Sequence, residues 1–469
     1  MKKTKIIATV GPACGSEEKL TELINAGVNV FRINMSHEDS GDKFGQTVDL
    51  IRLISKHLTK HVAIMQDLAG PKIRVNKSIS PKGIVIKKDG SYSIGYGEFD
   101  IPMNMDPGFE TAEKDGIIKI DDGSISFSVE KAEKGHLIIK AHNDGIIKPG
   151  KGINFPGVNL NLPAMTEKDK QDLKLGLNAD VDWIAMSFVR SVEDYHKINA
   201  MIRKEEKSTP VIAKIEKPEA MKNLNEIIDT FDGILTARGD LGVEMHINEL
   251  PVMQKRIVNQ CLLKRKPVII ATQMLETMIQ NPAPTRAEVN DIANAIYDRA
   301  DAVMLSGETA VGNHPLESVK VMESICSTVE NDFNSYNFNL ITKNRRFNAS
   351  DEVETICHAA MMMADDLSIE HIVVMTESGS TARTMAQYRP HSKILALCPF
   401  PEVCRQLSLI WGITAIQVEN YKSADEILYH SGRIIREQGY LEKGESFILT
   451  AGLPVGIPGT TNLLKVHRA

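Results

Sequence analysis

The sequence predicts a closed parallel (β/α)8 barrel, interrupted by a small inserted β domain and followed by an α/β domain. Three observations carry this expectation. Short β-branched runs recur eight times with helical stretches between them. The gap after the third run is too long for one helix and alternates polar and apolar residues instead. Beyond an asparagine-rich stretch, strand and helix patterns resume.

The eight runs are residues 6–10, 28–33, 62–66, 183–187, 211–214, 233–236, 268–271 and 302–305. Helical periodicity fills the segments between them, as in 17–26, 166–178, 250–264 and 286–298. Eight strand–helix units in succession point to a closed barrel. Thr285, Arg286, Ala287 and Glu288, after Pro284, fit a capping box, which starts a helix and does no chemistry.

The insertion occupies about 75–161, with alternating runs at 84–86, 117–120 and 136–139 and a hairpin signal at Asp122-Gly123. It reads as a lid. Without it the barrel has about the 250 residues typical of this architecture. A linker is expected near 331–350, and strands at 372–375, 393–397, 414–418 and 447–449 alternate with helices after it. The expected divisions are 1–72 and 161–338 for the barrel, 73–160 for the lid and 339–469 for the C-terminal α/β domain.

A chain of 469 residues suits roughly three domains. Hydrophobic content of 42% and charged content of 25% are ordinary for a globular protein. A net charge of −6 argues against a nucleic-acid partner, though one cationic cleft stays open. Six cysteines with no Cys-x-x-Cys pair read as idle thiols in a reducing cytosol. The apolar run after Lys5 is broken by Gly11-Pro12, too early for a signal peptide, and no run reaches the ~18 apolar residues of a membrane span. The expected location is cytoplasmic, with no membrane partner.

The chemistry gathers where apolar strands end. A barrel of this type carries its active groups at the C-terminal ends of its strands. There the sequence offers Arg32, Asn34, Ser36 and His37; Asp67, Gly70, Pro71, Lys72 and Arg74; Lys214 and Glu216; Arg238, Gly239 and Asp240; Thr272 and Gln273; and Ser306, Gly307, Glu308 and Thr309. Glu216 and Asp240 suit Mg2+ or Mn2+, which need only one or two carboxylates when substrate and water complete the shell. Each acid could equally make a structural ion pair. Lys214 should be charged beside these acids, fit to stabilise an enolate or a transferring phosphoryl group, or simply to bridge them. Arg32 and Arg74 have the planar fork that clamps phosphate. A short helix starting at Gly239-Asp240 would aim free N–H groups at an anion such as a carboxylate. In the C-terminal domain, Thr376, Ser378, Gly379, Ser380 and Thr381 form a strand-to-helix turn that either holds a phosphate or only caps a helix.

Taken together the motifs resemble the pyruvate kinase family over nearly the whole chain. They are residues 4–13 (TKIIATVGPA), 31–37 (FRINMSH), 67–74 (DLAGPKIR), 213–216 (AKIE), 237–242 (ARGDLG), 271–278 (ATQMLETM), 281–288 (NPAPTRAE) and 301–310 (DAVMLSGETA), in the family's order. The resemblance implies a (β/α)8 TIM barrel with an inserted β-barrel lid and an effector domain. It implies phosphoryl transfer from phosphoenolpyruvate to ADP, giving pyruvate and ATP in glycolysis. Lys214, Arg32, Thr272 and Arg74 would be catalytic, and Gly239 and Asp240 would join them in holding substrate. Pro12, His37, Arg74 and Lys174 would meet the nucleotide. Glu216 and Asp240 would hold Mg2+ or Mn2+. Thr376 to Thr381 would bind an effector's phosphate, and the enzyme would be a homotetramer.

Two departures from the family pattern matter. Many members need K+, held by groups matching Asn34, Ser36, Asp67 and the Leu68 carbonyl, and those members carry glutamate where this chain has Lys72. An ammonium there can supply the missing positive charge, so K+ should not be required. Glu377 stands where many relatives have lysine, which leaves the effector's identity open among a sugar monophosphate, AMP and fructose 1,6-bisphosphate. The competing readings are a metal-dependent lyase or aldolase of the same barrel type, and a non-catalytic phosphate-sensing protein. Intact Lys214, Glu216, Asp240 and Thr272 argue against the second.

Overall fold

Alternation along eight short strands builds the barrel. On the fifth strand, Val211–Ile215, residues Val211, Ala213 and Ile215 belong to an outer apolar cluster under the helices, while Ile212 belongs to an inner one. The second strand, Val30–Asn34, splits the same way, with Phe31 and Ile33 outward and Val30 inward. Period two therefore sends Arg32, Asp67, Lys214 and Glu216 inward as each strand ends. This computed structural model describes residues 2–36, 41–109, 112–133, 135–158, 160–332, 351–457 and 460–469.

Around the barrel, strand one (Lys5–Thr9) pairs in parallel with strand two and with strand eight (Ala302–Leu305), closing the ring. The other strands are Ala63–Asp67, Trp183–Met186, Gly233–Ala237 and Val268–Ala271. All lie within two residues of the predicted runs. Both Thr166/Asp169 and Thr285/Glu288 form capping boxes that fix helix starts. No helix among the described residues is long and apolar enough to cross a membrane.

The insertion forms a six-stranded sheet and a two-stranded ribbon, Ile84–Ile86 with Gly145–Ile147. The two edge strands of the larger sheet are Ile101–Met103 and Ile153–Asn154. Single bridges from Val75 to Met103 and from Arg74 to Gly152 join both edges, so the sheet closes on itself through this entry segment. Asp121, Asp122 and Gly123 take positive φ in the turn that the Asp-Gly pair signalled.

The C-terminal sheet has five strands. Four were expected, and the fifth, Thr461–Arg468, adds an antiparallel edge. This domain seals the N-terminal end of the barrel. Barrel residues Trp183, Ile212 and Leu235 share one apolar cluster with Leu407, Leu409 and Ile410. Polar ties surround it: Trp183 Nε1 donates to Gln406 O, Arg405 pairs with buried Asp182 at 2.7 Å, and Lys5 Nζ donates to Ile413 O. The linker expected at 331–350 falls almost wholly outside the described residues.

Candidate active site

Lys214 is the centre of the site. Its ammonium lies 3.0 Å from Glu216, 3.2 Å from Asp67 and 2.7 Å from Ser187 Oγ. Burial opposes its charge, but Asp67 and Glu216 outweigh that and raise its pKa. Arg32 Nε reaches Asp67 at 2.6 Å, and its Nη1 donates to Thr9 Oγ1. Burial resists the Asp67 anion too; Lys214 and Arg32 overcome this and lower its pKa. Asp67 thus orients both cations inside the strand ends.

Glu216 receives the Phe188 N–H at 2.8 Å as well as the lysine. Its pKa is raised by burial and by repulsion from Asp240 and Asp67, against the pull of Lys214. Asp240 is held as an anion despite burial, chiefly by Lys72 at 2.6 Å. Among the described residues no group of three or more His, Cys, Asp or Glu could enclose a metal. Two carboxylates do fit a hard cation that completes its shell with water and substrate oxygens.

Across from them, Thr272 follows the seventh strand with φ +70°. Its hydroxyl donates to Ala271 O and accepts the Gly239 N–H at 2.8 Å. Gly239 is the second residue of the helix Arg238–Glu244, which also carries Asp240. A Cβ on Gly239 would stand 3.5 Å from Thr272 Oγ1, an ordinary contact. At Gly70, by contrast, φ is +69°, and a Cβ would meet Phe188 and Ser187 at 2.9 Å.

These residues form one inward-facing constellation of cations, carboxylates and a hydroxyl. A model of the pyruvate kinase barrel domain matches residues 1–319, and a model of the pyruvate kinase alpha/beta domain matches 354–467. The pyruvate kinases of Staphylococcus aureus strains MRSA252, USA300 and COL are each 40% identical over 477 residues, covering 100% of this chain and 80% of theirs. The chain belongs to the pyruvate kinase family.

Within this family member, not every expected residue joins the constellation. Lys174 does not. It lies well down the helix Glu167–Asn178, and its ammonium faces Glu205, which follows the end of the helix Val192–Lys204, at 3.9 Å. That is the barrel end away from the active groups. Lys168, one residue into the same helix, does reach the rim and donates to Met35 O. Arg74 stands at the lid entrance, with Nη1 on Gly150 O. Pro12 is exposed in the loop after strand one, and His37 lies outside the described residues. Asn34 caps Ser36 N, and the Leu68 carbonyl accepts Ser187 Oγ. Strand eight's polar cluster turns out structural: Glu308 accepts Leu275 N and Ser306 N, and Thr309 ties to Thr9.

Sequence reasoning missed Ser187, although the inward series 183, 185, 187 ends on it. It also missed a cation of the inserted domain: Lys119 reaches across to the barrel and donates to Val243 O. In the C-terminal domain, Thr376, Ser378, Ser380 and Thr381 line a pocket with Glu377, Glu419 and Tyr421. Gly379 takes φ +77° at its helix start and donates to Thr376 Oγ1.

Proposed function

We propose that this protein transfers the phosphoryl group of phosphoenolpyruvate to ADP, giving pyruvate and ATP, as a glycolytic enzyme. The observation that carries this reading is the Lys214 ammonium held between Asp67 and Glu216 at the strand ends. A fixed buried cation costs no reorganisation as charge develops on the enol oxygen and the phosphoryl group. Arg32 takes the phosphoryl oxygens with the N–H groups that Asp67 and Thr9 leave free. Thr272 Oγ1 and the Gly239 N–H, which bond each other, would exchange that bond for the substrate carboxylate beside the Asp240 N–H, and Thr272 would stand near the carbon that gains a proton. A divalent cation, Mg2+ or Mn2+, on Glu216 and Asp240 would supply Lewis-acid charge to substrate oxygens. The lid, residues 73–160, excludes water so that ADP receives the phosphoryl group. Arg74 and Pro12 would meet the nucleotide; the contact expected of His37 lies outside the described residues.

Replacing Lys214 tests the reading. In a coupled pyruvate assay, wild type should form pyruvate only when ADP is present, which a lyase would not require. Lys214→Met should lose turnover by several orders of magnitude, about 10³-fold or more, as befits the main electrostatic group. It should still bind Mn2+, because both carboxylates remain. Full turnover by Lys214→Met would refute the assignment.

Activity without K+ is part of the same proposal. Lys72 places a fixed ammonium against Asp240 beside the site. Turnover at saturating substrates should be unchanged on removing K+. Lys72→Glu sets two carboxylates against each other, and K+ should then restore activity many-fold. A wild type left with residual turnover in K+-free buffer would contradict this. We also propose allosteric control through the pocket at Thr376 to Thr381, by an effector phosphate held on hydroxyls and backbone amides, in a homotetramer. Glu377 and Glu419 disfavour a doubly phosphorylated ligand.

A further inference from the structure

Two neighbouring lid residues grip the end of the helix that carries Asp240. Asn154 and Lys119 are register partners on adjacent lid strands. Lys119 Nζ donates to Val243 O at 2.7 Å, complementing the C-terminal end of helix Arg238–Glu244. Asn154 Nδ2 donates to Glu244 Oε1 at 2.8 Å, and both residues are buried. The same oxygen accepts Lys217 Nζ at 2.5 Å. Lys217 directly follows Glu216, and Glu244 closes the helix whose first turn holds Gly239 and Asp240.

We infer that Glu244 is a positioning residue, a latch that couples lid closure to the placement of both metal carboxylates. This rests on the reading above. One carboxylate ties three segments: the lid through Asn154, the Glu216 strand end through Lys217, and the Asp240 helix through its own backbone. A closed lid holds the helix end, and the helix holds Asp240. When the lid opens, Glu244 keeps only Lys217, and the helix loses both of its lid contacts. Phosphoryl transfer is thereby tied to the state in which water is excluded. Glu244 is buried and its pair with Lys217 is partly so, so removing one partner is felt at the others.

The test uses the whole chain. All six cysteines are buried. Labels on Tyr96→Cys in the lid and Val311→Cys on the barrel, sites 59% and 63% exposed, therefore report the lid distance selectively. Asn154→Asp sets a carboxylate against Glu244. In the metal-free, substrate-free protein it should lengthen and broaden the label distance. In turnover it should lower kcat about tenfold to a hundredfold, with less than a ~3-fold change in KM for phosphoenolpyruvate, and release pyruvate without matching ATP. The double variant Asn154→Asp, Glu244→Gln swaps amide and carboxylate and should recover both the distance and the pyruvate-to-ATP ratio. Lys119→Met should shift the distance the same way by less. An unchanged distance in both single variants, or a double variant no better than Asn154→Asp, overturns the latch. A wild type that makes no ADP-dependent pyruvate instead overturns the function on which it rests.

Discussion

Thr272 and Gln273 sit at φ +70° and +53° on consecutive residues. For a β-branched residue this backbone is strained by about 1–3 kcal/mol, and it persists only where the surroundings over-determine it. Arg238 does so. Its Nη2 donates to Thr272 O at 2.8 Å and to Gln273 O at 3.3 Å, and its Nη1 pairs with Asp291. Arg238→Lys keeps the charge and loses the fork, so it should lower kcat by about a hundredfold, close to the loss in Arg238→Met. Equal activity of Arg238→Lys and wild type would show that charge alone suffices. Which side chains gather at the strand ends was readable at this scale where a polar residue follows an apolar run, as Lys214, Glu216 and Arg32 do. It was unreadable where position along a helix decides. Lys174 is eight residues past the Thr166 cap, about 12 Å down the helix axis, and no pattern of residue types announces that height. The Glu244 contacts were hidden too, because they join segments far apart in the chain.

Strand and helix periods survive in the sequence wherever one face is buried, which is why all eight barrel strands were found. The last strand, Thr461–Arg468, escaped because it is a largely exposed edge with no strict alternation of buried residues. The first barrel strand holds a further device that its pattern conceals. Lys5 belongs to the inward series with Ile7 and Thr9, at the end sealed by the C-terminal domain, and its ammonium bonds Ile413 O. Burial lowers its pKa from 10.5 to about 7, helped by Lys2 and opposed by Glu330 and Asp301. The unfolded chain keeps this proton up to the ordinary lysine range, while the folded protein releases it near pH 7. Between those values the unfolded state binds more protons, so raising the pH favours the folded state. The cost of burying the charge is present in full below pH 7 and is relieved above it. Denaturant midpoints at pH 7 and 9 should therefore rise in wild type and rise less in Lys5→Met. Equal pH slopes in the two proteins would remove Lys5 from the account.

The closed barrel and the C-terminal α/β domain were readable from lengths and from the change of period. How firmly the barrel and the C-terminal domain are joined was not. The inner residues Trp183, Ile212 and Leu235 read only as strand positions, yet they share a core with Leu407, Leu409 and Ile410. Arg405 also reaches across to Asp182, which Arg52 holds from the other side at 2.8 Å. Separating the two bodies would expose this core, at about 1.5–3 kcal/mol for each large side chain uncovered. Neither body should then open globally without the other. Amide exchange should give strand Val268–Ala271 of the barrel and strand His371–Met375 of the C-terminal domain the same opening free energy, within about 1 kcal/mol. Trp183→Ala, costing about 3–5 kcal/mol at a buried site, should lower protection in both strands together. Loss confined to the barrel strand would show two independent units, and would leave the C-terminal pocket without a mechanical route to Lys214.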